Sequence, residues 1–577
     1  MTMLQKIKYI IPFAVLLLAS CRKEFLDINT DPNNPTSIEV SKLLPTAERN
    51  LGDALAMGGG NNGGLSQLLS VYTHQIATRE EADQYGVVGT DFFLGLAWPK
   101  MYAAVLPSST TPEQGVLQNL EDIIKHATEQ GNARYAGIAK ILKAYTYSQL
   151  VDVFGDVPFS QANKLKEGIV YPVFDDDAAI YPQLFTLLDE GIADLQNADA
   201  PNILEPGTDD VIYGGDVNKW IKAANTIKLK LCTQIRLVED VSAKVNALLD
   251  APDQLISATS ESFVIPYGPI GATDDRNPGF EEYYSTQRSN HISPWFYEIL
   301  KGYNPRILTN NPDPRIPYYI YNQLKADQPP REGNQTEYRE GPFVSIYFGS
   351  VGPDRDRTQQ NSISVVGIYP VGGKYDDGSG QIATAASGTG AAPYRMITYA
   401  DRLYLEAELM KVGIRSGDAR AKLKEAVEES FKQVDYVIQQ YVKPSQSVPA
   451  LSGTPAVEAY INKVLAEYDA RPAQQLEIIM TQKWISSFGS AVDQYTDYRR
   501  TGYPVLFDPA NPAMAPGGRV QPPINGDPVN PGAQKSVPVQ ITRAFPLSLP
   551  WFQGELETNP NAPPQKSPST FKVFWIP

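Results

Sequence analysis

Cysteine and histidine are nearly absent from this 577-residue chain, with two of the first and three of the second. So few thiols exclude a disulfide framework. His74, His126 and His291 stand at no metal-ligand spacing, and no H-E-x-x-H occurs. A G-x-S-x-G nucleophile elbow is also missing. Gly58 to Gly63 reads G-x-G-x-x-G but follows a helical pattern and not a strand, which argues against a dinucleotide loop. Gly372-Gly373-Lys374-Tyr375 lacks the Ser/Thr and the upstream Gly of a P-loop. Basic charge is in deficit: 50 Lys and Arg against 65 Asp and Glu leave a net charge of −15. Such a chain repels phosphate backbones, so no nucleic-acid partner is expected. Beyond the N-terminus no run is long and apolar enough to span a bilayer, and a mean hydropathy of −0.29 fits a globular body.

What is present begins at the N-terminus. Lys6 and Lys8 precede an apolar stretch from Tyr9 to Ala19, about half the ~20 residues of a spanning helix. This reads as a secretory signal peptide over residues 1–20. It ends in Leu18-Ala19-Ser20-Cys21, which resembles a bacterial lipobox, so Cys21 is the expected lipidation site. Several acyl chains on one cysteine, palmitate among them, would hold the chain on a membrane, because each buried CH₂ contributes about 0.8 kcal/mol. Residues 21–36 are polar and turn-rich and suit a tether. Cys232 then stands alone on a helix pattern, a small core residue.

Residues 37–577 read as one domain, helical over 37–250 and 394–500 and loop-rich over 251–393 and 501–577. Ile138, Ile141, Leu142 and Tyr145 share a face, with Gly137 and neighbouring alanines allowing close helix approach. Further stripes run from Asp177 to Leu195 and from Asn218 to Leu237, the latter capped by Asp216 or Asn218. Later, Met396, Tyr399, Leu403, Ala407 and Met410 form a stripe. A helix from about Asp418 to Tyr441 follows, and a pair then begins at Thr454-Pro455 and continues through Pro472 to Gly489. Helix pairs joined by short turns resemble tetratricopeptide repeats, although the period is irregular. Pro, Gly, Asp and Tyr dominate the loop-rich stretches, where Phe343 to Phe348 is strand-like; loops this long point to function.

Motif order now becomes informative. Thr30-Asp31-Pro32-Asn33-Asn34-Pro35-Thr36 follows Cys21, and Leu150-Val151-Asp152-Val153-Phe154-Gly155-Asp156-Val157-Pro158-Phe159 precedes Tyr171-Pro172. Then come Tyr213-Gly214-Gly215-Asp216-Val217-Asn218-Lys219-Trp220 and Asp497-Tyr498-Arg499-Arg500-Thr501-Gly502-Tyr503-Pro504, with Asn559-Pro560-Asn561 near the end. In this order and spacing the chain resembles the SusD/RagB family of outer-membrane nutrient-binding lipoproteins. The resemblance implies a mainly α fold with four tetratricopeptide-like helix pairs and a loop-rich, partly extended ligand-binding face. It implies a surface-facing outer-membrane location and a partner, a SusC-type TonB-dependent barrel to which captured ligand is delivered. It implies a binding protein and no enzyme.

The ligand expected from the residues themselves is an oligosaccharide first and an oligopeptide second. The chain holds 32 Tyr, 20 Phe and 6 Trp, and sugar C–H faces stack on such rings. Trp220, Tyr145 and Trp484 lie on helical stripes and are expected in the core. Aromatics read as loop residues are the binding candidates: Tyr72, Tyr85, Trp98, Tyr283, Tyr284, Trp295, Phe296, Tyr347 and Tyr375. Trp98 and Trp295 offer the widest platforms. No catalytic residue, metal ligand or cofactor is assigned. Asp376-Asp377-Gly378-Ser379-Gly380 offers oxygens to calcium but lacks EF-hand spacing. The other readings are a surface glycoside hydrolase, which needs two carboxylates facing across a cleft, and a structural adhesin without a small ligand.

Overall fold

The computed structural model describes residues 39–58, 64–81, 83–103, 114–271, 275–332, 334, 336–352, 354–355, 357, 359–508, 529 and 538–577. The signal peptide, Cys21, the tether and most of the Gly58–Gly63 motif lie outside them. The fold is mainly helical. The first half comprises α1 (Val40–Leu55), α2 (Leu65–Tyr72), α3 (Phe92–Tyr102), α4 (Val116–Gln130), α5 (Ala133–Phe154), α6 (Asp177–Gln196), α7 (Val217–Ile235) and α8 (Ser242–Leu249). The loop-rich middle contributes α9 (Pro294–Lys301), and the helices resume with α10 (Tyr399–Lys411), α11 (Ala419–Val437), α12 (Pro455–Ala470), α13 (Gln475–Ser486) and α14 (Ala491–Thr501). A short α15 (Gln553–Thr558) lies in the C-terminal loops.

Local chemistry sets most helix ends. Asp176 caps α6 by accepting from the Ala179 amide, and Asp216 caps α7 by accepting from Lys219. Thr454 caps α12 with Pro455 at its first position. The close approach expected at Gly137 is real. A Cβ there would sit 2.7 Å from the Gly191 carbonyl, so α5 and α6 pack almost backbone to backbone. Two boundaries differ from the sequence reading. Met396 belongs to a strand, because Thr398 and Asp401 form a capping box that starts α10 only at Tyr399. The stretch around Pro472 is a single 3-10 turn between α12 and α13, where a proline cannot continue the preceding helix.

Among the described residues there are five two-stranded antiparallel ladders, of which β1–β5 and β4–β10 tie distant segments together. β1 (Ile76–Thr78) pairs with β5 (Asn290–Ile292), with Ala77 opposite His291. β2 (Val157–Pro158) pairs with β3 (Phe174–Asp175), and β4 (Phe263–Ile265) with β10 (Tyr394–Ile397). β6 (Ile320–Tyr321) pairs with β9 (Val365–Val366), and β7 (Glu337–Glu340) with β8 (Phe343–Ile346). The loop-rich middle is thereby bound to the helices at both ends.

The core holds Trp220, Trp484 and Trp575, each fully buried with its indole N–H paired. Trp220 Nε1 donates to Asp210 at 2.7 Å, Trp484 Nε1 to the Thr73 carbonyl at 3.0 Å, and Trp575 Nε1 to Asp152 at 3.0 Å. Cys232 is buried on α7, and burial pushes its thiol up to about 12, so it is inert packing. Several charges in the core are neutralised by opposite partners. Glu408 accepts from Arg500 Nη2 at 3.0 Å and from Arg236 Nε at 2.9 Å. Burial alone would raise the Glu408 carboxyl, but the two guanidinium groups overcome it and hold it at about 2.

Candidate functional site

Where the helices meet the loops, a cavity of about 500 Å³ opens between α2, the start of α3 and the loop joining β1 to α3. That volume lies within the ~300–1,000 Å³ of small-ligand sites. Two adjoining depressions of about 480 and 460 Å³ share Tyr85 and the Thr542–Ala544 strand of chain. The first of these also shares Val87 and Val88 with the cavity, so the three form one continuous cleft.

The cleft is built upward from α2. Its last turn presents Gln67, Leu68, Val71 and Tyr72 as a wall. The chain then turns through His74, whose left-handed φ of 58° lets its amide and that of Gln75 close the helix end. His74 Nε2 meets the Tyr85 hydroxyl at 2.6 Å, and its ring stacks on Phe348 with centroids 4.0 Å apart. Burial drives the imidazole down to about 3, so it is neutral at physiological pH. Tyr72, Tyr85 and Phe545 pack edge-on or tilted with centroids 5.4–6.3 Å apart, giving the cleft an aromatic floor. Phe92 and Phe93 extend it, and Phe92 is 57% exposed.

Two polar atoms in this wall have no partner among the described residues. They are Gln67 Nε2 and the Tyr72 hydroxyl, on side chains each only 1% exposed. Gln67 is oriented by its other end, since its Oε1 accepts from the Gly58 amide at 3.0 Å. Both atoms are closed to solvent, so they lie unsatisfied beneath the cavity wall, as several buried polar atoms of the helical scaffold also do. Ser289 and Asn290 add polar lining from the far side, next to β5.

The structure corrects the sequence reading of several aromatic candidates as loop residues. Tyr72 ends α2, Trp98 lies inside α3, and Trp295 and Phe296 lie inside α9. Tyr283 and Tyr284 lie in a helical turn, Glu281–Ser285. The signals missed were local caps: Asp91 accepts from the Phe93 and Leu94 amides and starts α3, while Pro294 opens α9. Trp98 packs against Tyr102, Phe154 and Phe174, and Phe296 against Trp484 and Phe488. Trp295 packs on Phe507, and Tyr347 on Tyr338. Tyr283 is fully buried, and the Tyr284 hydroxyl donates to the Val366 carbonyl at 3.0 Å. Tyr375 is half-buried against Tyr318. Of the nine candidates, only Tyr72 and Tyr85 come together at the cleft. Gln67, Asn290 and the acidic residues of the β1–α3 loop were missed. The available signal was that loop's density of carboxylates beside aromatic Phe92-Phe93.

The acidic stretches have structural partners. Asp376 accepts from Asn322 at 2.6 Å and from the Gly378 amide at 3.1 Å, and Asp377 accepts from the Ser379 amide at 3.0 Å. Asp175 accepts from the Phe159 and Ser160 amides at 2.8 Å. Asp177 accepts from the Phe574 amide at 2.9 Å and so ties the C-terminus to α6. These groups shape turns and helix starts. His126 is half-buried beside Glu129 at 3.7 Å. Among the described residues no helix is long and apolar enough to cross a membrane.

A fold and a cleft of this kind define a binding scaffold. The family described as "Starch-binding associating with outer membrane", SusD-like, matches residues 32–522, and the chain belongs to that family. Solved structures share the fold. A SusD/RagB family protein from Bacteroides thetaiotaomicron superposes with a TM-score of 0.63 at 19% identity, covering 94% of this chain and 99% of that one. A chitin-binding protein gives 0.62 at 20% identity, covering 91% and 95%. A SusD homologue from Bacteroides fragilis gives 0.59 at 17% identity, covering 91% and 94%. No curated protein matches the sequence.

Proposed function

We propose that the chain is a cell-surface lipoprotein that binds oligosaccharides in this cleft and delivers them to a SusC-type TonB-dependent barrel. A lipid on Cys21 would hold it at the outer membrane. The carrying observation is a cavity of ligand size rimmed by aromatic rings, the exposed Phe92 with Phe93, and by polar side chains such as Asn290. Rings receive sugar C–H faces, and fixed polar groups receive hydroxyls. Membership of a starch-binding, outer-membrane family supports the same reading, as does the printed name of a chitin-binding structural relative. With no catalytic constellation assigned, release of ligand would leave its covalent bonds intact.

Calorimetry of the mature chain against starch, chitin and peptide oligomers tests this. Saturable glycan binding without product release is expected, weakened several-fold by Phe92→Ala, which removes the exposed ring at the cavity rim. Absence of saturable glycan binding, or hydrolysis of the glycan, overturns it. Mass spectrometry of membrane-extracted protein should find an acylated Cys21 at the mature N-terminus, and Cys21→Ser should leave the chain unanchored.

A further inference from the structure

The protein withdraws its aromatic rings from solvent almost everywhere. Among the described residues two aromatic side chains are exposed, Phe92 and Tyr171, the latter by 49%. Phe92 rims the main cavity, and Tyr171 lines a separate depression of about 330 Å³. That volume is at the lower end of the range of small-ligand sites. Tyr171 is exposed without being loose. Asn561 Nδ2 donates to its carbonyl at 2.7 Å, and Asn559 Nδ2 donates to the Pro172 carbonyl at 2.8 Å. The Tyr171-Pro172 and Asn559-Pro560-Asn561 motifs therefore meet, and the C-terminal chain holds the backbone that carries the ring. Glu555 lines the same depression. Its Oε1 accepts from Asn559 Nδ2 at 2.9 Å, which orients the carboxylate and leaves acceptor capacity for hydroxyl groups. Among the described residues no lysine, arginine or histidine lines this depression. A fixed ring beside an uncommitted carboxylate oxygen is the chemistry that takes a neutral sugar, with a C–H face on the ring and hydroxyls on the acid.

The two exposed rings are linked by one helix. Phe92 opens α3 and Tyr102, which also lines the depression, ends it. Ten helical steps of 1.5 Å place the two ends about 15 Å apart. Between them Gly95 lies on the same face, three residues on from Phe92. A Cβ there would first meet the Phe552 ring, at 3.6 Å, so the helix surface is low at this point and bordered by a further aromatic.

We infer that the Tyr171 depression is a second glycan position, which holds the far end of an oligosaccharide whose other end fills the main cavity. One sugar face stacks on Tyr171 and its hydroxyls donate to Glu555. The inference rests on the glycan-binding reading and adds to it a preference for long, neutral chains. A short oligomer reaches one position only. A long one engages both, and the second contact is then intramolecular and strengthens binding without a second partner.

The test is calorimetric titration of the full mature chain with dimers and hexamers of the starch and chitin series. The hexamer of the preferred series should bind roughly tenfold or more tightly than its dimer. Tyr171→Ala should remove that gain and leave dimer affinity unchanged. It keeps the carbonyl that Asn561 holds, so the thermal melt should stay that of the parent. Tyr171→Phe retains the ring and should retain the gain. Glu555→Gln still accepts from Asn559 but offers hydroxyls a weaker acceptor, and should shrink the gain. Equal affinity for dimer and hexamer overturns the inference and leaves the glycan-binding reading intact. So does a gain that survives Tyr171→Ala. Binding of no dimer and no hexamer overturns both.

Discussion

The helical scaffold and the cleft hold their carboxylates in opposite ways. In the scaffold, Asp210 accepts from Trp220 Nε1 and from the amides of Ile212, Tyr213 and Gly215, so its carboxylate is fully occupied. Glu408 is shared by two arginines, and Asp313 is held by Arg315 at 2.6–2.9 Å. In the cleft, Glu81 stands exposed on the lining of the main cavity. A carboxylate closed on buried partners specifies one packing arrangement; one exposed at a cavity faces solvent and ligand. The same residue type therefore has different consequences in the two regions, and the contrast can be broken by mutation.

The largest effect should come from the scaffold. Glu408→Ala leaves Arg500 and Arg236 buried without their anion, and should cost about 3–5 kcal/mol in urea unfolding; a loss below about 1 kcal/mol would mean the network is slack. Next is pH. His74 and His291 are both held down at about 3 by burial, so each is neutral in the fold but protonates in the unfolded chain near pH 6.5. The unfolded state then binds more protons below pH 6.5, and stability should fall as acid is added, by roughly 1.4 kcal/mol per pH unit for each histidine. His291→Gln should flatten that slope; an unchanged slope would show that other groups set it.

Two tyrosines give the finest comparison. Tyr181 donates to Asp152 at 2.6 Å inside the scaffold, so Tyr181→Phe should cost roughly 1–2 kcal/mol by removing one of the two hydrogen bonds on that buried charged oxygen. Tyr72 donates to no described residue, so Tyr72→Phe should shift the melting midpoint by an amount near zero, within ~0.5 kcal/mol. If the two substitutions destabilise equally, the division between scaffold and cleft fails.

Much of the scaffold was legible because its signals are local. The Ile138–Tyr145 stripe, the Gly137 crossing and the caps at Asp216 and Thr454 each depend on residues within a few positions of one another. The cleft was legible only in part. Tyr72 and Tyr85 stood out as aromatics, but so did Trp98, Trp295 and Phe296, which the structure packs into the protein interior. Aromatic chemistry is the same in a core and in a site, and only the neighbours distinguish them. Gln67 drew no attention, because a glutamine on a short helix carries no local sign of lying against a cavity.

The amino-acid sequence by itself determined the helices, their caps, the acidic character and the family motifs, since these are written in short-range periodicity and residue order. Tertiary structure alone decided that α2, the β1–α3 loop and the Thr542–Phe545 segment meet, because β1 pairs with β5 over two hundred residues away and Thr542 reaches back to Asp83. Contacts between residues so far apart carry no local pattern, and a binding surface assembled from them exists only after the chain has closed.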